Sequence, residues 1–267
     1  MYIIGERLNT SIPEISKAVK SRDKDKIIEE ACAQVEAGEA ALDINAGTHG
    51  RSEEDDVLWM MDVVTDGANV PLSLDSSNAG IIEVCLNQYK GPGTPIINSI
   101  NGEAAKLEAL TKLIKEHHCD VIALAMDERG IPDTAAARLE VITKVIDHLE
   151  NEGIARSRIY ADPLVIPVST DTSKALCTIE TLQGIKKDFP EVKTIVGLSN
   201  ISFGLPKSKL LNRTFLAILI ASGLDAAILD PTMPGIMPTV KAAEVLLNHD
   251  EFCTNYLSAY RSGKLEP

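Results

Sequence analysis

Aromatic residues, positive charge and long apolar runs are all scarce in this chain of 267 residues. Aromatic side chains make up 4% of the chain and apolar ones 45%, so its core must be aliphatic, which is typical of parallel strands buried on both faces. The formal net charge of −13 argues against nucleic acid or an anionic membrane as the main partner. The longest apolar run, Phe215–Ala221, is too short to span a bilayer, and the N-terminus lacks a secretory signal pattern. We therefore expect a soluble, cytoplasmic protein.

Cysteine and histidine are few and scattered. The five cysteines are an odd number and form no Cys-x-x-Cys pair, so reduced thiols are the simplest interpretation, and these also fit the cytoplasm. There is no His-x-His, and of the five histidines only His49 lies near the end of a predicted strand. We therefore expect no metal to be bound by this chain.

Short apolar runs alternate with longer segments of helical periodicity, which predicts parallel strands joined by helices. Eight such repeats, in a length close to the roughly 250 residues of one barrel, favour a single (β/α)8 TIM barrel over residues 1–267. An open nucleotide-binding sheet is disfavoured because the G-x-G-x-x-G and P-loop motifs are missing. The predicted strands are Tyr2–Leu8, Ala41–Ala46, Pro71–Ser76, Pro95–Ile100, Val121–Met126, Ile159–Val165, Thr194–Ser199 and Ala226–Leu229.

Glycines predict where the connecting helices stop, since glycine adopts the left-handed conformation that commonly ends a helix. They are Gly38, Gly91, Gly153 and Gly223. The remaining tail, Asp250–Pro267, predicts one more helix packed on the outside.

Acidic or amide side chains lie at or near the carboxyl ends of all eight predicted strands. Because reactive groups of a TIM barrel collect where strands end, we expect them to converge on one mouth. A single Asp or Asn there is explained by a turn that it stabilises, but a polar group at every strand end favours a binding site. The residues are Glu6, Asn9, Asp43, Asn45, Asp75, Asn98, Asp127, Asp162, Asn200 and Asp230.

The chemistry of these side chains suits a flat, neutral heterocycle. No predicted strand ends in lysine, so a Schiff-base site has no candidate. A carboxylate can accept two parallel hydrogen bonds from an aminopyrimidinone edge, and amides can serve ring nitrogens and carbonyls. Reduced pterins and purines both fit this description, so the residue types alone leave the two open.

The strand-end motifs resemble those of the pterin-binding barrel family. Within it, the similarity is greatest to methyltetrahydrofolate:corrinoid protein methyltransferases, which are related to the folate module of cobalamin-dependent methionine synthase and, more distantly, to dihydropteroate synthase. The motifs are IGERLN (4–9), LDINAG (42–47), LSLDSSN (72–78), PIINSIN (95–101), YADPLVIP (160–167), GLSNISFG (197–204), LLNRTFLA (210–217) and GLDAAILDP (223–231).

The resemblance implies methyl transfer between N5 of tetrahydrofolate and the cobalt of a corrinoid. It implies that Asp75, Asn98 and Asp162 hold the pyrimidine edge of the pterin. It also implies that Asn200 hydrogen-bonds N5, and we expect Asn200 and Asp162 to be the catalytic residues. The complete set expected to bind substrate is Glu6, Asp43, Asp75, Asn98, Asp162, Gly197, Ser199 and Asn200.

The corrinoid is expected on a separate protein, because the chain has no Asp-x-His-x-x-Gly motif of corrinoid-binding domains. The resemblance also implies a homodimer. Two other functions stay open: a dihydropteroate synthase-like transferase, which would need a lysine on strand seven, and a non-catalytic folate-binding barrel. Two structural alternatives stay open as well, since Asp162 could form a turn with Pro163 and Asn98 could cap the following helix.

Overall fold

Eight parallel strands close into a barrel, each pairing with the next along the chain and the last pairing with the first. The computed structural model describes residues 1–47 and 53–265. The predicted (β/α)8 barrel is confirmed, and every predicted strand bound lies within three residues of the observed one. The strands are β1 Tyr2–Asn9, β2 Ala41–Asn45, β3 Leu72–Asp75, β4 Ile96–Ile100, β5 Asp120–Leu124, β6 Ile159–Asp162, β7 Lys193–Gly197 and β8 Ala226–Leu229.

Helices surround the barrel and cover the outer faces of its strands. The predicted tail helix is present as the last of them, after a short 3₁₀ turn at Glu251–Cys253. None of the helices in the described ranges is both long and apolar enough to cross a membrane. The helices are α1 Pro13–Ser21, α2 Lys24–Ala37, α3 Glu53–Gly67, α4 Ala79–Gln88, α5 Ala104–His117, α6 Ala135–Asn151, α7 Lys174–Asp188, α8 Ser208–Ala221, α9 Ile236–Leu246 and α10 Thr254–Arg261.

The inside of the barrel is apolar at mid-height. Alternate side chains of each strand point inward, so one layer of inward side chains fills the barrel and excludes water. Two partly buried side chains, Leu124 and Ile228, pack against this layer. The layer consists of Ile4, Ala41, Ile96, Ile122, Tyr160, Ile195 and Ala226.

A cluster of polar and aromatic groups closes the barrel at the amino ends of the strands. The ammonium of Lys193 donates to the Tyr160 hydroxyl over 3.0 Å and lies 4.5 Å from the centre of the Tyr160 ring. The ring of Tyr2 lies 6.1 Å from that of Tyr160, centre to centre. The lysine of β7 is thus held at the end of the barrel opposite the mouth.

The predicted helix ends are confirmed at Gly38 and Gly223, which have φ values of 110° and 104°. The prediction at Gly91 is wrong, because α4 stops earlier and Tyr89 caps it, its N–H donating to the carbonyl of Leu86. The Tyr89 side chain then folds back over Gly91, where an added Cβ would lie 2.7 Å from the Tyr89 hydroxyl. Glycine therefore suits position 91 because the Tyr89 side chain lies close to its backbone, and not because a helix ends there.

Gly153 ends α6 in a Schellman motif. Its N–H donates to the carbonyl of Glu150 over 2.9 Å, and that of Ile154 donates to Leu149 over 3.0 Å. The φ of Gly153 is 84°, and a Cβ at this position would meet no atom within 4 Å. Any cost of a side chain here therefore comes from the backbone conformation alone.

We expect Gly153→Ala to lower the free energy of unfolding by about 1 kcal/mol, the usual cost of a left-handed conformation for a residue with a Cβ. Urea unfolding followed by circular dichroism measures this change. Gly153→Asn is the control, since asparagine tolerates this conformation and should cost less. Equal stability of wild type and Gly153→Ala would contradict the argument.

Candidate functional site at the mouth of the barrel

A layer of polar side chains lies directly above the apolar layer of the barrel. On a strand, residues two apart share a face, so a residue that follows an inward apolar residue by two also points inward. Ile4 is followed in this way by Glu6, and Ile96 by Asn98. Five of the predicted site residues, Glu6, Asp43, Asp75, Asn98 and Asp162, lie at such positions near the carboxyl ends of their strands, and Gly197 ends β7 at the same height.

Two pairs of acid and amide side chains join β2, β3 and β4. Nδ2 of Asn98 donates to Oδ1 of Asp43 over 3.0 Å, and Nδ2 of Asn45 donates to Oδ2 of Asp75 over 2.7 Å. Burial raises the pKa of Asp43, and the nearby charge of Asp75 raises it further. Burial also raises the pKa of Asp75, against the hydrogen bond from Asn45, which lowers it. The helix-cap alternative for Asn98 is wrong, because Glu103 is the N-cap of α5.

Glu6 enters the mouth through a β-bulge. Between Gly5 and Leu8 the register with β2 shifts, so that Glu6 and Arg7 together lie opposite one residue of β2. Glu6 turns inward, and Oε1 of its carboxyl accepts a 2.5 Å hydrogen bond from the Ser199 hydroxyl. Burial raises the pKa of Glu6 to about 7, and the charge of Asp230 adds to this effect. β1 is therefore connected directly to the turn after β7.

That turn, the 3₁₀ segment Leu198–Ser202, carries Asn200. The Asn200 side chain is exposed, so its amide is available to a ligand at the mouth. At Gly197 an added Cβ would lie 3.2 Å from Nδ2 of Asn200, which is a tight contact. The glycine thus leaves room for the amide above the end of β7.

Asp162 ends β6, where only 7% of its surface is exposed. Its Oδ1 accepts a 2.7 Å hydrogen bond from the N–H of Leu164, so Asp162 does form a turn with the residues after Pro163. It also lies at the mouth of the barrel. Burial raises the pKa of Asp162 to about 7, although the positive charge of Arg138 opposes this. The carboxyl therefore titrates close to neutral pH.

Other strand-end residues have local roles. Oδ1 of Asn9 accepts from the N–H of Ser11, and the carboxyl of Asp230 accepts from the N–H and hydroxyl of Thr232. His49 lies outside the described residues. In the ranges 1–47 and 53–265, no group of three or more His, Cys, Asp or Glu residues is placed to hold a metal ion.

Sequence reasoning missed two arginines that support this layer. Arg7 contacts Glu30 through Nε and Asp230 through Nη1, the latter over 3.4 Å. Arg138 is completely buried beneath the turn that follows Asp162. One signal was available, since Arg138 shares the apolar face of α6 with Val141 and Ile142, where a charge is unusual.

The mouth therefore presents carboxyl groups, amides and a hydroxyl around a floor of aliphatic side chains. Such groups can bind forked N–H donors and ring nitrogens of a flat heterocycle above the apolar layer. The nearly neutral pKa values of Glu6 and Asp162 also allow these two carboxyls to take up or release a proton at physiological pH.

Known proteins similar to this chain share both sequence and fold with it. A family model described as pterin binding enzyme matches residues 5–230. Methylcorrinoid:tetrahydrofolate methyltransferase of Eubacterium limosum is 35% identical over 269 residues, which cover 100% of this chain and 98% of that protein. Methionine synthase of Mycobacterium tuberculosis is 30% identical over 241 residues, which cover 85% of this chain but 20% of that protein.

Solved dihydropteroate synthases have the same fold. The Yersinia pestis protein has a TM-score of 0.67 at 18% identity, with 92% of this chain and 93% of that chain covered. The Xanthomonas albilineans protein, with 4-aminobenzoic acid, has a TM-score of 0.69 at 16% identity, with 94% and 92% covered. Identities this low establish the fold alone. The family model and the end-to-end similarity to the Eubacterium limosum protein establish more: the chain belongs to the pterin binding enzyme family.

Proposed function

We propose that this chain is a methyltransferase that moves a methyl group between N5 of tetrahydrofolate and the cobalt of a corrinoid on a separate protein, in either direction. One observation supports this above all. The turn that carries the exposed Asn200 amide stands beside a layer of buried and half-buried carboxyl groups, in a chain 35% identical to a protein named for this reaction.

The pterin ring is held by the acid and amide side chains of β3, β4 and β6. Asp75 and Asn98 occupy paired positions on neighbouring strands, so both can face one edge of a flat ring. Asp162 reaches the ring from β6. A carboxyl group and an amide together match the alternating donors and acceptors of an aminopyrimidinone edge. Gly197 at the end of β7 and Ser199 in the following turn line the ring, and Glu6 and Asp43 complete the set.

Asn200 acts on the reacting nitrogen. N5 is a tertiary amine while it carries the methyl group, and it leaves poorly unless it gains a proton or a strong hydrogen bond. An amide does not titrate near neutral pH, so Asn200 supplies a hydrogen bond that strengthens as charge develops in the transition state.

Asp162 transfers the proton that N5 gains or loses during the reaction. Its pKa of about 7 makes it close to half protonated at neutral pH, which suits a group that must both give and take a proton. Glu6 has a similar pKa and hydrogen-bonds to Ser199, the neighbour of Asn200, so it supports the same turn.

The corrinoid of the partner supplies the cobalt that donates or accepts the methyl group. The partner is a separate corrinoid protein that docks over the mouth, where Asn200 is exposed. We further propose a homodimer that works in the cytoplasm, and the five free cysteines agree with a reducing compartment.

A dihydropteroate synthase-like activity is less well supported. The lysine expected for it on strand seven has no counterpart at the mouth, since Lys193 bonds to Tyr160 at the opposite end of the barrel. The carboxyls of Glu6 and Asp162 argue against a non-catalytic barrel. Burial raises their pKa values to about 7, so both can exchange protons near neutral pH.

Incubation of the protein with methyltetrahydrofolate and reduced free cobalamin tests the proposed function. Only a methyltransferase yields methylcobalamin, which is followed by its absorption spectrum. A dihydropteroate synthase-like enzyme or a passive folate binder would leave the cobalamin unmethylated, and that outcome would overturn the proposal.

In this assay, Asn200→Ala should lower the rate of methyl transfer by about 10- to 1000-fold, because one hydrogen bond to the transition state is lost. Asp75→Ala should mainly weaken folate binding, measured by calorimetric titration. Asn87→Ala, an exposed position on α4, is the control and should change neither quantity. A rate for Asn200→Ala within about twofold of wild type would exclude Asn200 from the mechanism.

The raised pKa of Asp162 also predicts how stability depends on pH. The folded protein binds the carboxyl proton more tightly than the unfolded chain, so ionisation of Asp162 destabilises the fold as pH rises from about 4 to about 7. Asp162→Asn removes this penalty. Urea unfolding at about pH 8 should show the variant more stable than wild type by about 1–4 kcal/mol, with little difference at about pH 4.

Asp171→Asn is the matched control for this experiment. Asp171 is exposed, and the hydrogen bonds from Ser173 lower its pKa, so its charge favours the folded state. This variant should gain no stability at about pH 8. A gain in Asp171→Asn, or none in Asp162→Asn, would show that Asp162 does not carry a destabilising charge.

A further inference from the structure

Arg138 is the largest fully buried side chain of the described residues, and it lies behind the mouth on α6. Its guanidinium donates three hydrogen bonds to backbone carbonyls of two different loops. Nε donates to Pro132 over 3.0 Å in the loop after β5, while Nη1 donates to Pro163 over 2.8 Å and to Leu164 over 2.7 Å in the loop after β6.

The second of these loops determines where the Asp162 carboxyl lies. Leu164 has a φ of 66°, a left-handed conformation that a leucine keeps only where its surroundings stabilise it. The N–H of this residue donates to Oδ1 of Asp162, and its carbonyl accepts from Arg138 and, over 2.8 Å, from the Thr178 hydroxyl. The same peptide segment thus links the arginine to the carboxylate.

Arg138 also acts on Asp162 through its charge. Its positive charge lowers the pKa of Asp162, against the larger effect of burial. Two other titratable groups face Arg138, the carboxyl of Asp133 after β5 and the thiol of Cys177 on α7, while the β5 residue paired with Asp162 is the apolar Leu124. Among the described residues, Arg138 is the charged group that acts on the pKa of Asp162.

We propose that Arg138 is a positioning residue of the methyl-transfer site, which holds the turn after β6 so that the carboxyl of Asp162 faces the pterin. This inference rests on the proposed function for the role of Asp162. Arginine suits this geometry, since its guanidinium offers separate nitrogens to the two loops, whereas a lysine would have to meet both from one nitrogen.

The test compares Arg138→Met, which removes both charge and hydrogen bonds, with Arg138→Lys, which keeps the charge. Arg158→Met is the matched control. Arg158 also donates to two backbone carbonyls, those of Ile114 and Cys119, but near the amino end of β5 and β6. The readouts are the titration of Asp162 by carbon NMR of labelled carboxyls, amide hydrogen exchange at Leu164, and the pH profile of kcat and KM for methyl transfer.

In Arg138→Met we expect the pKa of Asp162 to rise, because a nearby positive charge that lowers it is lost. The pH profile of kcat should shift upwards with it, and kcat should fall at least about tenfold. Arg138→Lys should leave the titration of Asp162 near that of wild type, yet still lower kcat and speed exchange at Leu164. Arg158→Met should leave all three readouts unchanged.

Unchanged titration of Asp162 in folded Arg138→Met would overturn the inference, as would an equal shift in Arg158→Met. Should Arg138→Met fail to fold, Arg138→Lys decides, and wild-type exchange at Leu164 together with wild-type kcat would overturn it. The titration and the exchange need no substrate. If wild type transfers no methyl group but both readouts shift as expected, the proposed function fails while the link between Arg138 and Asp162 stands.

Discussion

The inside of the barrel changes from apolar to acidic within two residues along its strands, from Ile4 to Glu6 and from Ala41 to Asp43. Carboxyl groups at this depth lose much of their hydration, which disfavours their charged form. The pKa values of four of them, Glu6, Asp43, Asp75 and Asp162, are raised for this reason. The reactivity of the mouth therefore follows from its position directly above a dry layer.

Neighbouring groups moderate this cost without removing it. Amides donate to Asp43 and Asp75, a hydroxyl donates to Glu6, and a backbone N–H donates to Asp162. Neutral donors stabilise a buried carboxylate less than a paired ion would, so the carboxyls keep the ability to exchange protons. Arg138 contributes positive charge from behind the turn after β6. Its hydrogen bonds go to backbone carbonyls, so the Asp162 carboxyl remains available at the mouth.

The strands and the polar layer could be predicted from sequence because both follow from a period of two in a barrel of eight similar repeats. Contacts between repeats could not. The bulge at Glu6 and Arg7 depends on how β1 pairs with β2, and the hydrogen bond from Ser199 to Glu6 joins residues far apart in the chain. Gly91 shows a second, local limit, since the Tyr89 side chain that needs this glycine is placed by its hydrogen bond to the carbonyl of Pro92, which no periodic pattern predicts.

Lys193, Tyr160 and Tyr2 fill the amino end of the barrel, and this limits how ligands enter and leave the site. With that end filled, a small molecule bound on the apolar floor shares its entrance with any protein that comes to meet it. If the proposed corrinoid protein docks over this mouth, the folate enters before docking and the product leaves after the two proteins separate. Turnover would be paced by the lifetime of the protein complex, and a tighter partner would make a slower enzyme.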